Sequence, residues 1–485
     1  MRAWAQWALD TAVMRGASYA DVRVVELRNR VLSVKNGRVG TIAETESLGL
    51  GVRVIAEGAW GFASTDRLTR ERIEATAAEA VAIAWASARV KKADVVLAPE
   101  QKIIAVWRTP YKKDPFAIPL SAQMDLLFAV DKELRSIPGV TLTETAMYFT
   151  RQEQFLASTE GSGIQQTKIF SGAGLTATSF SNGEIQKRSY PNSFGGQFSA
   201  AGYELVEELK LVENARRVGE EAVALHKADR CLEGRRTIIL DSAQLALQIH
   251  ESIGHAIELD RVLGTEANFA GISFLTLGKL GCLQYGSEIV NVVADARLEH
   301  GPGLGTFGYD DEGVPAQGID IIKDGRFVGY LSSRETARAV GLARSGGAMR
   351  AESWNRIPLI RMTNVSLLPG TYSLADLLAD TDDGIYLETN RSWSIDDRRL
   401  HFQFGTEIAW EIKGGKKTRM LKNPSYSGIT TEFWNSCDAI CDRTHWTLWG
   451  IPNCGKGQPM QTIGTGHGAT PARFRNVLVG VAYAK

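Results

Sequence analysis

The residue types best suited to chemistry lie together in the stretch HESIGH, from His250 to His255. The chain has only seven histidines, and two of them flank Glu251 here. Two imidazoles and a carboxylate are the usual inner parts of a catalytic zinc site. The five-residue spacing of the histidines corresponds to about 140° around an ideal helix. Both could bind one ion if the helix widens by a π-turn, a distortion that Gly254 would make easy.

An amphipathic helix is expected to carry this motif. Asp241 or Ser242 can cap its first turn, because a short side chain ending in oxygen accepts a hydrogen bond from a free backbone N–H. Apolar residues recur on one face, at Leu245, Ile249, Ile253 and Ala256. Both histidines and Glu251 point away from that apolar face. The competing interpretation is two ordinary surface histidines on an amphipathic helix.

A catalytic zinc ion with two histidine ligands needs a third protein ligand and an open position for water. Cys454 is the best candidate, because it lies in the glycine-flanked segment 452–458, where a loop would let the backbone approach closely. Lys456 nearby would favour the thiolate. Cys437 and Cys441 are rival thiols, and a lone cysteine is more often a small buried apolar residue.

With these motifs the chain resembles the TldD/PmbA family of metallopeptidases, in its zinc-motif-bearing branch. The stretches DDEG at 310–313 and RMTN at 361–364 agree, and the resemblance is firmest from about 236 to 465. It implies His250, His255 and Cys454 as Zn²⁺ ligands and Glu251 as the general base.

The resemblance also implies partners and a substrate class. Members form dimers around an internal chamber and degrade or trim unfolded peptides, often with a paralogue that lacks the zinc motif. The chain departs from the usual family pattern at Ala256 and Leu259, where glycines are common, and in the cysteine segment, which lacks an acidic residue. These departures leave the expected ligands intact but affect what can be inferred about substrate preference.

Composition excludes several other classes of protein. The 485 residues carry 55 basic and 55 acidic side chains, which argues against a DNA-wrapping protein or a polybasic membrane binder. The apolar runs are shorter than the roughly 20 residues that span a bilayer, and the first residues lack the apolar core of a secretory signal. Five cysteines in a long chain are typical of reduced thiols, so we expect a cytoplasmic protein without membrane association.

The hydrophobic pattern predicts an α+β fold, with an N-terminal α/β region and a β-rich C-terminal domain that carries the metal-site helix. We expect domains at 1–232 and 233–485, with a possible further boundary in a connector near 91–119. Hairpin turns are expected at Asn36-Gly37, Asn182-Gly183, Asp324-Gly325 and Gly414-Gly415. Helices are expected at 3–16, 65–90, 122–136 and 204–227, and short strands at 21–26, 30–35, 39–43 and 49–55.

The expected function is zinc-dependent hydrolysis of unfolded or precursor peptides. One alternative is a non-catalytic partner or scaffold that binds peptides without cutting them. The other is a gyrase-modulating binding protein with a structural metal, although such a site is normally closed by four protein ligands. Direct binding of nucleic acid is not expected from the balanced charge.

Overall fold

The first half of the chain forms one large sheet with helices packed against it. The computed structural model describes residues 1–269 and 271–481. The elements of this half are α1 (Arg2–Met14), β1 (Tyr19–Lys35), β2 (Arg38–Ala56), β3 (Ala59–Thr65), α2 (Arg70–Ala88), β4 (Ile104–Arg108), α3 (Leu120–Arg135), β5 (Val140–Ser158), β6 (Gly163–Ser181), β7 (Glu184–Tyr190), β8 (Gln197–Ser199), α4 (Glu204–Glu208) and α5 (Leu211–Ala224). The strand order is β3-β2-β1-β5-β6-β4, and β7 and β8 also pair with β6.

The two long strands β1 and β2 replace the four short strands that the sequence predicts. Polar stretches inside them resemble breaks, yet β1 pairs along its length with both β2 and β5. Its backbone groups are therefore satisfied on both sides, whatever the polarity of the side chains. The Asn36-Gly37 turn is where the sequence predicts it, with both residues at positive φ.

Several predicted boundaries were wrong. Helix α2 begins after Thr69, whose side chain accepts from the Arg72 N–H, and not at residue 65. The preceding Thr65 ends β3 instead of beginning the helix. The connector at 91–119 contains β4, which pairs with β6. The predicted helix at 204–227 is two helices, because Lys210 between them has the left-handed φ of 48°.

The second half of the chain is rich in strands, as predicted, and the fold is α+β. Its elements are β9 (Asp229–Arg230), β10 (Gly234–Leu240), α6 (Ser242–Ile249), α7 (Leu259–Val262), β11 (Val292–Asp295), β12 (Gly318–Lys323), β13 (Arg326–Phe327), β14 (Met349–Arg350), β15 (Leu359–Ile360), β16 (Val365–Leu367), α8 (Leu374–Ala379), β17 (Asp383–Ile395), β18 (His401–Lys413), β19 (Lys416–Lys422), β20 (Pro424–Ile429), α9 (Thr430–Asn435), β21 (Cys437–Ile440), β22 (Thr447–Lys456), β23 (Gln461–Ala469) and β24 (Ala472–Val481).

The largest sheet of this half returns on itself. Strands pair in the order β17-β10-β24-β20-β18, and β18 pairs again with β17. Helix α6 follows β10 directly, and its residues from Ala243 to Ile249 are all buried. Two polar residues of the helix are linked through a strand residue, since Gln244 donates to the Tyr426 hydroxyl and that hydroxyl donates to Gln248. This packing fixes the helix that carries the HESIGH motif.

The second support of the motif is the hairpin of β22 and β23. The two strands are antiparallel, and their register shifts between Ile451 and Cys454. Helix α6 lies against β23, so the motif and Cys454 approach one another from different elements. Within residues 1–269 and 271–481, no helix is long and apolar enough to cross a membrane.

Candidate metal centre

The helix widens where the two histidines require it. Asp241 caps α6 by accepting a hydrogen bond from the Gln244 N–H at 2.9 Å. After Ile249 the chain forms a π-helical segment from His250 to Gly254, and the His255 N–H donates to the carbonyl oxygen of His250 at 3.1 Å. This five-residue hydrogen bond confirms the π-turn that the sequence predicts.

The widened turn brings the imidazole rings together. The ring centroids of His250 and His255 are 4.8 Å apart. Both residues are buried, at 3% and 5% exposure, so the interpretation as ordinary surface histidines is wrong. Gly254 makes the turn possible, because a Cβ there would lie 2.3 Å from the sulfur of Met362.

Cys454 lies beside His255, although it belongs to strand β22 and not to a loop. Its Sγ is 3.5 Å from the Nε2 of His255. Burial opposes ionisation of the thiol, but the interactions of the thiolate with His255 and Arg361 outweigh it and lower the pKa of Cys454. Because burial keeps His255 largely neutral near pH 7, Arg361 is the permanent cation of the two. Lys456 does not have the predicted role, since its amine pairs with Asp260 at 2.7 Å.

The donor set fits a zinc ion. One ligand atom each from His250, His255 and Cys454 lie within 4.8 Å of one another. A tetrahedral zinc ion has bonds of about 2.3 Å to sulfur and about 2.0–2.1 Å to nitrogen, which place those sulfur and nitrogen atoms about 3.5 Å apart. The Sγ of Cys454 and the Nε2 of His255 have this separation. The rival thiols Cys437 and Cys441 lie on and just after β21, where burial raises the pKa of Cys441 to about 12.

The outer nitrogen of His250 bonds to another histidine. His467 donates from Nδ1 to the Val365 carbonyl at 3.0 Å, so we assign its Nε2 as an acceptor. His250 then donates from Nδ1 to that Nε2 at 2.8 Å, which leaves a lone pair on the His250 Nε2. The structure thus places His467, on strand β23, against the outer side of His250.

A carboxylate orients the second histidine in the same way. The Nδ1 of His255 lies 3.0 Å from Glu258, so its proton is donated there and its Nε2 is free to bind a metal. Lys456 Nζ lies 3.4 Å from the same carboxylate. The sequence analysis missed Glu258, although its position three residues after His255 is a helical neighbour spacing that could have indicated it.

Glu251 faces the same cavity as the three donors. This cavity has a volume of about 390 Å³, and Phe194, Trp393 and Ile395 form apolar parts of its wall. Arg399 Nη1 donates to Glu251 at 2.8 Å, and its Nε is buried without a hydrogen-bond partner. No spacing in the sequence indicates Arg399, which lies in the turn between β17 and β18.

Burial holds the histidines of this centre in the neutral form that binds metals. It lowers the pKa of His250 to about 4, opposed by the charges of Glu251 and Glu258. Burial also lowers the pKa of His255 and His467 well below the usual value. A divalent ion requires neutral imidazoles and a thiolate as ligands, and the lowered pKa values of the histidines and of Cys454 favour these forms.

Comparison with known proteins places the chain in one family along its length. Residues 20–84 match PmbA/TldA metallopeptidase domain 1, residues 113–228 match the central domain, and residues 233–480 match the C-terminal domain. A relative from Methanothermobacter thermautotrophicus, named a metalloprotease, is 30% identical over 95% of each chain. A relative from Saccharolobus solfataricus, named a zinc metalloprotease TldD homolog, is 22% identical over 88% of this chain and 89% of its own.

The fold is shared with solved structures. A putative modulator of a DNA gyrase from Thermotoga maritima matches with a TM-score of 0.77 and 17% identity, over 99% of this chain and 100% of that one. At that identity the likeness supports the fold alone. The three family matches together cover most of the sequence, and the chain belongs to the PmbA/TldD family of metallopeptidases.

Proposed function

We propose that the chain is a zinc-dependent peptidase that hydrolyses peptide bonds of unfolded or precursor peptides. The observation that carries the proposal is the convergence of His250, His255 and Cys454 at one cavity, with Glu251 beside them. Three protein donors leave a coordination position open, as catalytic zinc sites do. The zinc metalloprotease name of one relative supports the choice of metal.

The residues around the cavity divide the work of hydrolysis. When bound, Zn²⁺ supplies a Lewis acid that polarises the scissile carbonyl and acidifies a water molecule. Glu251 accepts the proton of the attacking water and passes it to the leaving amine. Arg399 positions the Glu251 carboxylate through their 2.8 Å hydrogen bond.

An exposed strand edge at the cavity suits an extended substrate. Residues 393–395 of β17 pair with β18 on one side. Strand β10 pairs with β17 only at 385–387, and no other strand of the described residues pairs with 393–395 on that side. A peptide can add to this edge through main-chain hydrogen bonds, which need little sequence specificity. Unfolded peptides present such a backbone, whereas folded proteins do not.

Cleavage of an unstructured peptide mixture, followed by mass spectrometry, tests the proposal. We expect products with the zinc-loaded protein, none after treatment with a chelator, and recovery when Zn²⁺ is restored. E251Q should retain zinc but lose about 10²–10⁴-fold in rate, the usual contribution of a general base. E288Q removes an exposed carboxylate and serves as the matched control with wild-type turnover.

The same experiment separates the alternatives. A peptide-binding scaffold would bind the mixture and leave it intact, with or without zinc. A protein with a structural metal would unfold on chelation and show no metal-dependent cleavage. Turnover by E251Q at the wild-type rate would contradict the role proposed for the glutamate.

We include a cytoplasmic location and a dimer, either homomeric or with a paralogue, in this proposal. The free state of all five cysteines agrees with a reducing compartment. The dimer rests on the family resemblance, and sedimentation of the purified chain, alone and with a co-expressed paralogue, tests it. A purely monomeric chain under both conditions would contradict it.

A further inference from the structure

A second cavity, of about 420 Å³, lies between the N-terminal sheet and the C-terminal half of the chain. Its floor is one face of three paired strands. Leu27, Gln152 and Lys168 form one row across β1, β5 and β6, and Asn29, Thr150 and Phe170 form the next. Segments from the C-terminal half, including Leu304, Phe307 and Arg350, line the opposite side.

Lys168 is a largely buried residue whose amine faces this cavity. The residue is only 9% exposed, yet within the described parts of the chain its Nζ has no hydrogen bond or ion pair. The centroid of the Phe307 ring lies 5.8 Å from Nζ. Burial lowers the pKa of Lys168, opposed by the charge of Asp311. A buried ammonium without an anion is costly, so such groups normally have a counter-ion.

The charged side chains that line the cavity are positive in excess, since Arg30, Lys168 and Arg350 outnumber Asp311 and Glu352. The carboxylate of Asp311 is shared with another cation, because Arg23 Nη1 lies 3.7 Å from it. Arg350 adds a second cation, which donates to backbone carbonyls, among them Gly464 at 2.8 Å. Burial lowers the pKa of Arg350 to about 10. The cavity is therefore a place where an anion would be stabilised.

One part of the lining is apolar, and the cavity has a size that holds a small ligand. Aromatic and branched side chains form this part, among them Leu27, Val31, Phe170, Phe198, Phe307 and Ile463, and polar side chains such as Asn29, Thr150 and Gln152 lie beside them. Pockets for small molecules usually measure about 300–1,000 Å³ and combine apolar walls with a few polar groups that fix orientation. We propose that this cavity binds a carboxylate attached to an apolar body, with Lys168 as the counter-ion of the carboxylate.

This binding site is separate from the candidate metal centre and does not depend on its chemistry. Pro452 lines the second cavity, whereas Ile451, Asn453 and Cys454 line the first, so strand β22 forms the wall between them. Two kinds of ligand carry a carboxylate on an apolar body. One is the C-terminus of a peptide that ends in an apolar residue, and the other is a free apolar carboxylic acid.

Calorimetric titration of the full-length chain tests the proposal. The metal-free form is used so that zinc-dependent hydrolysis does not contribute to the measured heat. The probes are N-acetyl-L-phenylalanine and its carboxamide, which has the same apolar body without the charge. We expect the acid to bind at least about tenfold more tightly, the usual effect of one hydrogen bond to a charged group. K168M should abolish this preference, K168R should preserve it, and K227M, at an exposed lysine, should not affect it.

Equal binding of acid and amide by the wild-type chain would overturn the proposal, as would an unchanged preference in folded K168M. If K168M fails to fold, the proposal is tested by the acid and amide affinities of the wild-type chain and of K168R. A pentapeptide ending in phenylalanine, as acid and as amide, separates the two sources. Tighter binding than the acetylated amino acid identifies a peptide C-terminus, and weaker binding identifies a small carboxylic acid.

Discussion

The chemistry of the candidate centre depends on which nitrogen of each histidine faces the cavity. His250 and His255 both use Nδ1 for a hydrogen bond to an outer partner, His467 in one case and Glu258 in the other. Both Nε2 atoms keep their lone pairs. Outer partners of this kind fix ring orientation and typically affect metal affinity by about 10–100-fold.

The low pKa of His250 predicts an acid-sensitive stability of the metal-free protein. Burial lowers the pKa of His250 to about 4, whereas an unfolded histidine has a value of 6.5. The unfolded state therefore binds more protons between these values, and the free energy of unfolding should fall as pH falls from about 6.5 to about 4. The shift corresponds to about 3 kcal/mol, at about 1.4 kcal/mol per pKa unit.

Urea denaturation at pH 7, 5 and 4 measures this effect. H250Q should lose less stability than the wild-type chain over that interval, because its side chain does not titrate. H401Q, at an exposed histidine, is the matched control and should follow the wild-type chain. An H250Q profile as steep as that of the wild-type chain would contradict the assignment.

The sequence indicated the inner residues of the centre but not all of their partners. His250, Glu251 and His255 are predictable because rare residue types recur at a short spacing, and Cys454 because of its glycine-flanked position. Arg399 comes from a remote segment that no pattern singles out. Arg361 begins the RMTN stretch that agrees with the family resemblance, but that stretch alone indicates no role beside the thiol. Only tertiary packing reveals that these two arginines, and not Lys456, provide the cations next to Cys454 and Glu251.

At the scale of elements, the decisive feature is the π-helical turn that ends α6. A regular helix would direct the two histidines about 140° apart, and the turn brings their ring centroids to 4.8 Å. Its backbone passes Met362 so closely that only glycine fits at position 254. The turn is thus maintained by packing as well as by its own hydrogen bond.

G254A should destabilise the protein and weaken metal binding. The added Cβ would lie 2.3 Å from the Met362 sulfur, and that side chain is fully buried, so it cannot move away freely. Overpacking of this kind typically costs about 1–3 kcal/mol. Urea denaturation and zinc titration measure the two effects. G278A is the control, since a Cβ there meets no atom within 4 Å.

If G254A unfolded at the wild-type urea concentration and bound zinc with unchanged affinity, the close contact with Met362 would not be what maintains the turn.

Hairpin turns and helices were the elements that the sequence indicated best, because turn residues and helical periodicity are local signals. Long strands were not, since the length of β1 depends on pairing with β5, more than a hundred residues away.

At the scale of the whole molecule, buried ion pairs connect the two halves of the chain. Arg188 on β7 belongs to the N-terminal sheet, and its Nη1 lies 3.2 Å from Glu407 on β18 of the C-terminal sheet. Its Nε also contacts Glu221 at 2.9 Å. Burial raises the pKa of Glu407, and Arg188 opposes that shift. The pair couples the stability of the halves because neither partner is solvated.

R188M should cost about 3–5 kcal/mol of unfolding free energy, because it leaves Glu407 buried without a cation. The double variant R188M/E407Q should be less destabilised than R188M alone, since no charge is then left unpaired. Urea denaturation measures both, with R38M at an exposed arginine as control. A double variant as unstable as the single one would show that the charge of Glu407 is not the cause.

X-ray absorption at the zinc edge of the purified, zinc-loaded chain tests the central claim most directly. Coordination by His250, His255 and Cys454 predicts one sulfur scatterer at about 2.3 Å and two imidazole nitrogens at about 2.0–2.1 Å, with one further light atom. C454S should eliminate the sulfur signal. A wild-type spectrum without sulfur, or one with several sulfur scatterers, would contradict the account.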